Sequence, residues 1–375
     1  MTEKIYDLAI VGAGIVGLAH ALAAARLGKK VVVIDRDDAA NGASIRNFGF
    51  VTVTGQQAGD CWQKAARSRE VWTDIAEAAD IPIVQRGLIV TARLPESEAV
   101  IDAFLQTEMG AECRRISVKE AAQQAPAIRK NNITGALYSP HEVRVESRTA
   151  IPRLAAWLKE EHDVDFLWHT SVSHVETPKI ETSRGPVHAE TAIVCPGDDL
   201  TGLFADRIAA HNVTRCKLQM LRVMPETPFQ LETAIMSDLG LARYLGYAEL
   251  PEATQLKVRL DAEMADHRQN GVHLIVVQSS DGSLVVGDSH HYGKTPDPFA
   301  DKIVNDLILS EMNSVLDLRR YSVSESWIGT YASAPDSWRF TDAPDDATRL
   351  VVVTAGCGAS TAFAIGEETI ADLYS

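Results

Sequence analysis

The first 35 residues constrain this chain more than any other stretch. An apolar run, Leu8-Ala9-Ile10-Val11, enters Gly12-Ala13-Gly14-Ile15-Val16-Gly17. A helical stretch from Leu18 to Leu27 follows, then Val31-Val32-Val33-Ile34, closed by Asp35. The order strand, glycine turn, helix, strand and acid is the geometry that binds the ADP half of a dinucleotide. Gly12 permits the tight turn, Gly14 lets the backbone approach a pyrophosphate, and Gly17 lets helix and strand pack closely. The phosphates are expected on the free N–H groups of the helix start. Asp35 lies 18 residues beyond Gly17, where an acid reaches a ribose hydroxyl. A βαβ unit packed without ligand leaves that acid unexplained.

Composition narrows the partners. A chain of 375 residues, 46% hydrophobic, fits one large or two interleaved domains. The net charge of −15 argues against nucleic acid or an anionic membrane as partner, and means that an anionic substrate needs a local basic pocket. The five cysteines, Cys61, Cys113, Cys195, Cys216 and Cys357, are scattered, with neither a disulfide framework nor a zinc-ligand spacing. The N-terminal apolar residues belong to the nucleotide fold, not to a signal peptide, and no run is long enough to span a bilayer. A cytoplasmic protein is expected.

Periodicity predicts helices over 60–80, 95–109, 118–124, 149–161, 251–266 and 299–318. Strands are expected over 85–92, 133–138, 164–168, 172–176, 179–182, 187–194, 217–224, 272–278 and 283–288. The last two join through Asp281-Gly282, a hairpin signal. Near the C-terminus, Leu350 to Thr354 reads as a buried strand running into Gly356-Cys357-Gly358-Ala359-Ser360 and a helix from Thr361 to Leu373. Both ends of the chain therefore show a strand, a glycine turn and a helix. Packed together, they aim a second helix N-terminus at the cofactor, as a flavin needs to stabilise charge on its reduced ring. The plainer alternative is a C-terminal strand and helix that only complete the sheet.

Five segments in order carry a family likeness: the glycine turn, its acid, Gly42-Ala43-Ser44-Ile45-Arg46-Asn47-Phe48-Gly49, the strand ending Cys195-Pro196-Gly197, and the C-terminal glycine turn. Together they resemble the FAD-dependent amine oxidoreductases that include glycine oxidase, sarcosine oxidase and D-amino-acid oxidase. The likeness implies an α/β fold: a Rossmann-type, glutathione-reductase-like FAD domain (1–85, 145–215 and 325–375) interleaved with a β-rich substrate domain (86–144 and 216–324). It implies FAD held by Gly12, Ala13, Gly14, Val16, Gly17, Asp35, Arg36, Ser44, Arg46, Asn47, Val172, Pro196, Gly197, Gly356, Gly358, Ala359, Ser360 and Thr361. Cys357 reads as a packing residue in a tight turn, not a covalent flavin anchor. The stretch Trp327-Ile328-Gly329-Thr330-Tyr331-Ala332-Ser333-Ala334-Pro335-Asp336, with Gly42 to Gly49, is similar to a subgroup associated with phosphonate catabolism.

One departure matters. Amino-acid oxidases of this type carry an arginine in a Trp-x-Gly-x-Arg-Pro segment that clamps the substrate carboxylate, and Tyr331 stands there instead. The candidate substrate residues are Arg46, Lys217, Gln219, His290, His291, Tyr292, Tyr331 and Trp327. His290 and His291 are adjacent in a strand, so at most one faces the pocket. Lys217 and Gln219 share a face, toward the flavin or away from it. Arg46 suits a structural phosphate or ion-pair role as well, and Trp327 a place in the core. The expected reaction is hydride transfer from a small amine to flavin N5, then imine hydrolysis, with oxygen or another acceptor taking the electrons. An N-methylated 2-aminoethylphosphonate would give phosphonoacetaldehyde and methylamine; glycine, sarcosine or a D-amino acid is the alternative. An NAD-dependent dehydrogenase and a non-catalytic flavin-bound sensor are the readings from other classes.

Overall fold

In the computed structural model, which describes residues 4–375, two β-sheets form the frame. The apolar run Ile5–Val11 takes the middle of the first sheet. That sheet runs Arg339–Asp345, Thr348–Val353, Val187–Val194, Ile5–Val11, Val31–Ile34, Asp165–Leu167. Ile5–Val11 is parallel to both neighbours, which sets Val11 beside Val194 and Ile34. Such strands are buried on both faces and read as unbroken β-branched runs. The helices Ile15–Arg26 and Gly358–Leu373 pack together beside this sheet. The helix Asp60–Ala76 braces the second of them: Trp72 meets Phe363 edge-on at 5.0 Å, and its Nε1 donates to the carbonyl of Ala359 at 2.8 Å.

The second sheet runs His291–Gly293, Thr214–Pro225, Leu284–Gly287, Ile275–Gln278, Ala234–Met236, Ile83–Ala92, Gly135–Val145, Phe50–Val51. Tyr321–Ser333 pairs antiparallel along the length of Thr214–Pro225, and its last residue bridges to Ala355. The two frames thus meet at the C-terminal glycine turn. This strand runs through residue 325 without a break, so the divide expected at 325 falls inside one strand of the second sheet.

The Asp281-Gly282 turn forms as expected, with Gly282 at φ +84° and Asp281 Oδ1 accepting from the Ser283 N–H at 3.0 Å. Several element bounds differ from the sequence reading, three of them informatively. The helix expected from 299 begins at Lys302, where the Asp301 carboxylate caps the Ile303 N–H at 2.8 Å. The helix expected over 251–266 breaks at Met264 into Ala253–Glu263 and Ala265–Gln269. The strand expected at 133–138 extends over Gly135–Val145, held by Ile83–Ala92 on one side.

A buried ion cluster ties the second lobe together. Arg93 Nη2 lies 2.5 Å from Asp238 Oδ1 and 2.7 Å from Glu311 Oε1, and both carboxylates are fully buried. Arg93→Met leaves two buried carboxylates without a cation. We expect this variant to lose about 3–5 kcal/mol of stability, read as a fall in the urea midpoint.

Candidate active site

A cavity of about 490 Å3 lies between the two sheets. Its walls come from the first glycine turn at Gly14–Gly17, the loop through Ser44, Arg46 and Asn47, the segment Arg243-Tyr244-Leu245, and the C-terminal turn Gly356–Ser360. His273, Asp288, His290, Tyr292 and Tyr331 close the end toward the second sheet.

The glycines do what their spacing demands. A Cβ on Gly12, at φ +105°, would stand 2.4 Å from the carbonyl oxygen of Cys195. A Cβ on Gly17 would stand 1.9 Å from the carbonyl oxygen of Gly12. Ser44 Oγ accepts from the Ile15 N–H at 2.9 Å, fixing the loop against the helix start. Asn47 folds that loop by donating to the carbonyl of Ala43 and accepting from the Gly49 N–H, at 2.7 and 2.6 Å.

Both helix starts facing the cavity, at Ile15 and at Gly358, have no acidic residue in the first turn. Neither N-cap residue, Gly14 or Cys357, makes a side-chain capping bond. Helix starts of this kind leave backbone N–H groups and a positive dipole end for an anion. A long cavity with one such end beside a glycine turn and another across it fits an extended dinucleotide carrying a pyrophosphate and a flavin ring. The residues present therefore suit FAD: Gly14, Val16, Gly17, Ser44, Arg46, Asn47, Gly197, Gly356, Gly358, Ala359 and Ser360 all line the cavity.

Other expected cofactor residues stand outside its walls. Asp35 is engaged within the protein, with Oδ2 accepting from the Ala13 N–H at 2.6 Å and Oδ1 from the Asp37 N–H at 3.0 Å. Arg36 reaches Asp199 at 3.2 Å. Val172 pairs with Thr182 in its own hairpin. Thr361 turns back on the helix, its hydroxyl donating to the carbonyl of Cys357 at 3.0 Å. Gly12, Ala13 and Pro196 shape the turns rather than the wall. Cys357 is a buried N-cap residue, in keeping with a packing role.

The substrate candidates divide. Tyr331 faces the cavity and lies against Gly356, where a Cβ would come within 2.9 Å of its ring. His290 is buried and lines the cavity, whereas His291 points the other way, its Nε2 3.1 Å from Asn270 Oδ1. Lys217 and Gln219 do share a face, but it is the face away from the cavity. Lys217 Nζ donates to the carbonyl of Phe299 at 3.0 Å. Gln219 Nε2 donates to the carbonyl of Asp301 at 2.9 Å, and its Oε1 accepts from the Asp301 N–H. Leu218 between them is the wall residue, as strand alternation requires. Trp327 is likewise no wall residue: its Nε1 donates to the carbonyl of Arg46 at 3.1 Å, and its ring lies under Arg148.

Four residues that sequence reasoning passed over complete the site. Arg243 follows the 3-10 turn Gly240–Ala242, and its Nη2 donates to the hydroxyl of Tyr292 at 3.1 Å, its one side-chain hydrogen bond among the described residues. Burial disfavours its charge, but Tyr292, Tyr331 and Asp288 nearby leave its pKa raised. Tyr244, His273 and Asp288 join it on the wall. His273 and Asp288 exchange backbone hydrogen bonds across two strands, which brings His273 Nδ1 to 3.2 Å from Asp288 Oδ1. Burial pushes Asp288 up to about 7 against the opposing pull of Arg243, and holds both His273 and His290 well below their usual range.

Residues 7–373 match the family described as FAD dependent oxidoreductase. Glycine oxidase of Geobacillus kaustophilus is 24% identical over 260 residues, which cover 64% of this chain and 67% of that protein. Its crystal structure superposes with a TM-score of 0.76 at 19% identity, covering 98% of this chain and 94% of the other. Glycine oxidase of Bacillus cereus gives 0.78 at 16% identity with the same coverage, and iminodiacetate oxidase of Chelativorans gives 0.71 at 18%, covering 96% and 93%. Among the described residues no helix is long and apolar enough to cross a membrane. With nearly its whole length matched to the family model, the chain belongs to the FAD-dependent oxidoreductase family.

Proposed function

We propose that this protein oxidises a small amine that carries an anionic group, with the anion on Arg243 and the carbon–nitrogen bond presented to FAD. The observation that carries the reading is Arg243: a guanidinium on the cavity wall with no carboxylate paired to it, in a chain of net charge −15. Such a cation is costly to bury unless an anion joins it. Tyr292 and Tyr331 surround it with further hydrogen-bonding groups. FAD, when bound, accepts a hydride equivalent from the carbon beside nitrogen. The chain supplies position: it holds the anion, aligns the C–H bond and keeps water from the reacting carbon.

The finer reading is an N-methylated 2-aminoethylphosphonate. With oxygen and water it would yield phosphonoacetaldehyde, methylamine and hydrogen peroxide. Two features support it: Tyr331 occupies the place of the carboxylate-clamping arginine, and several separate donors suit a tetrahedral dianion. A second reading, oxidation of glycine, sarcosine or a related amino acid, draws support from the relatives, named glycine oxidase and iminodiacetate oxidase. Arg243 could clamp a carboxylate bidentately. Peroxide formation and product analysis with the three amines in parallel separate the two. Phosphonoacetaldehyde from the phosphonate alone supports the first; glyoxylate from glycine with the phosphonate inert supports the second. Silence toward all three sinks both.

Tyr331→Phe tests the pocket end. We expect KM to rise about tenfold, the worth of one hydrogen bond to a charged group, with FAD content unchanged. An unaltered KM would remove Tyr331 from substrate binding.

A further inference from the structure

Asp288 stands at the centre of a buried cluster of unpartnered polar atoms. Its Oδ1 has no hydrogen-bond partner, and neither has either ring nitrogen of His273. His273 Nδ1 is 3.2 Å from that Oδ1 without being aligned for a bond. On the other side, His290 Nδ1 lies 3.0 Å from the carbonyl of Gly271. A carbonyl only accepts, so Nδ1 carries the proton, and Nε2 turns a lone pair toward Asp288 Oδ2, 3.8 Å away. One ligating atom each of Asp288, His273 and His290 thus lie within 4.8 Å of one another at the cavity wall. Buried acceptors in such a position need a donor. All three residues are at most 7% exposed.

The backbone holds this arrangement in place. His273 and Asp288 are tied through both of their main-chain bonds, and a Cβ on Gly271 would crowd the Cβ of His290 to 2.9 Å. The groups facing Asp288 are Arg243 and Tyr244 from the segment before Leu245, His273, His290, and Cys216 from the strand Thr214–Pro225. Arg243 is the one fixed positive charge among them, and it hydrogen-bonds Tyr292 rather than Asp288.

We propose that Asp288, with His273 and His290 at its sides, receives the substrate amine as an ammonium and takes its proton, so that Asp288 is the catalytic base of this oxidase. The idea rests on the amine-oxidation reading above and adds to it the residue that makes the amine reactive. An ammonium N–H bond breaks and an Asp288 O–H bond forms. The nitrogen keeps the electron pair, which then assists loss of hydride from the neighbouring carbon. After the imine departs, the proton leaves Asp288 to water entering the cavity. The separation of charges follows: Arg243 holds the anionic end of the substrate, and Asp288 meets its cationic end.

The test compares holoenzyme and the Asp288→Asn variant by anaerobic flavin reduction from pH 6 to 10, with glycine and N-methyl-2-aminoethylphosphonate as the two amines. With Asp288 near 7, the wild type should stay level between about pH 7 and the pKa of the amine. The variant must use free neutral amine, so its efficiency should fall about tenfold per pH unit below that pKa, reaching roughly 100-fold to 1,000-fold below wild type near pH 7 and converging near pH 10. Parallel profiles would overturn the proposal while leaving amine oxidation intact; a wild type that is never reduced defeats amine oxidation itself.

A second measurement needs neither turnover nor a folded variant. Binding of an amine without α-hydrogen, 2-aminoisobutyrate or 2-amino-2-methylpropylphosphonate, is followed by calorimetry of wild type at pH 8 in buffers of different ionisation heat. No net proton release is expected, because the proton stays on the complex. Release of one proton per site would overturn the proposal, as would one equivalent of a divalent metal retained by the purified holoenzyme.

Discussion

Replacing Gly17 with alanine should abolish the holoprotein. The added Cβ would stand 1.9 Å from the carbonyl oxygen of Gly12 and 3.1 Å from its carbonyl carbon, both backbone atoms of the turn that Gly17 closes. No rotamer change relieves a clash between two backbone segments, so the helix Ile15–Arg26 must move away from the strand Ile5–Val11. That movement opens the helix start from which FAD phosphates would be held. The expected cost exceeds about 3 kcal/mol, at the upper end of overpacking effects, and the protein should purify without flavin or as aggregate. Gly42→Ala is the control: nothing lies within 4 Å of a Cβ there, and stability should change by less than about 0.5 kcal/mol. FAD released on denaturation, measured per chain for both variants, checks the pair. Gly17→Ala protein with a full complement of FAD would mean that the turn is not the phosphate cradle.

Arg243→Leu should carry the largest kinetic effect. A charge-assisted pair in a buried site is worth about 3–5 kcal/mol when one partner is lost, which is roughly 100-fold to 1,000-fold in kcat/KM. FAD content should hold, because Arg243 stands at the end of the cavity that Tyr292 and Tyr331 close, away from the glycine turn at Gly14–Gly17. Arg243→Lys should recover part of the loss, since an ammonium supplies charge without the planar fork. If both variants turn over like wild type, the anion lies elsewhere, and Arg46 becomes the next candidate on the cavity wall.

The parts of this site that were legible in the sequence are those written in local pattern. The glycine turn, the strands on either side of it and the Asp281-Gly282 hairpin depend on neighbours within a few residues, and the structure reproduces them. The parts that were not legible depend on which face a strand presents. Thr214–Pro225 is buried along both faces, so alternation grouped Lys217 with Gln219 correctly but could not say that Leu218 faces the cavity. Arg243 sits between a 3-10 turn and the single helical turn Leu245–Ala248, where no periodicity marks it. His273 and Asp288 are 15 residues apart and meet only through strand pairing. The strand Arg339–Asp345 escaped notice because its charges and Pro344 suit an edge, which it is. A cation without a paired carboxylate and a buried carboxylate facing one cavity are recognisable only once the sheets are assembled.

The central claim is that a small anionic amine reaches FAD in the cavity between the two sheets and is oxidised there. Anaerobic mixing of the purified yellow protein with N-methyl-2-aminoethylphosphonate, and separately with glycine and sarcosine, tests it most directly. The account predicts that the oxidised-flavin absorbance bleaches in a single turnover with at least one of these amines and not with the same amine after Arg243→Leu at equal concentration. Flavin that stays oxidised with all three, in protein that holds one FAD per chain, would contradict it.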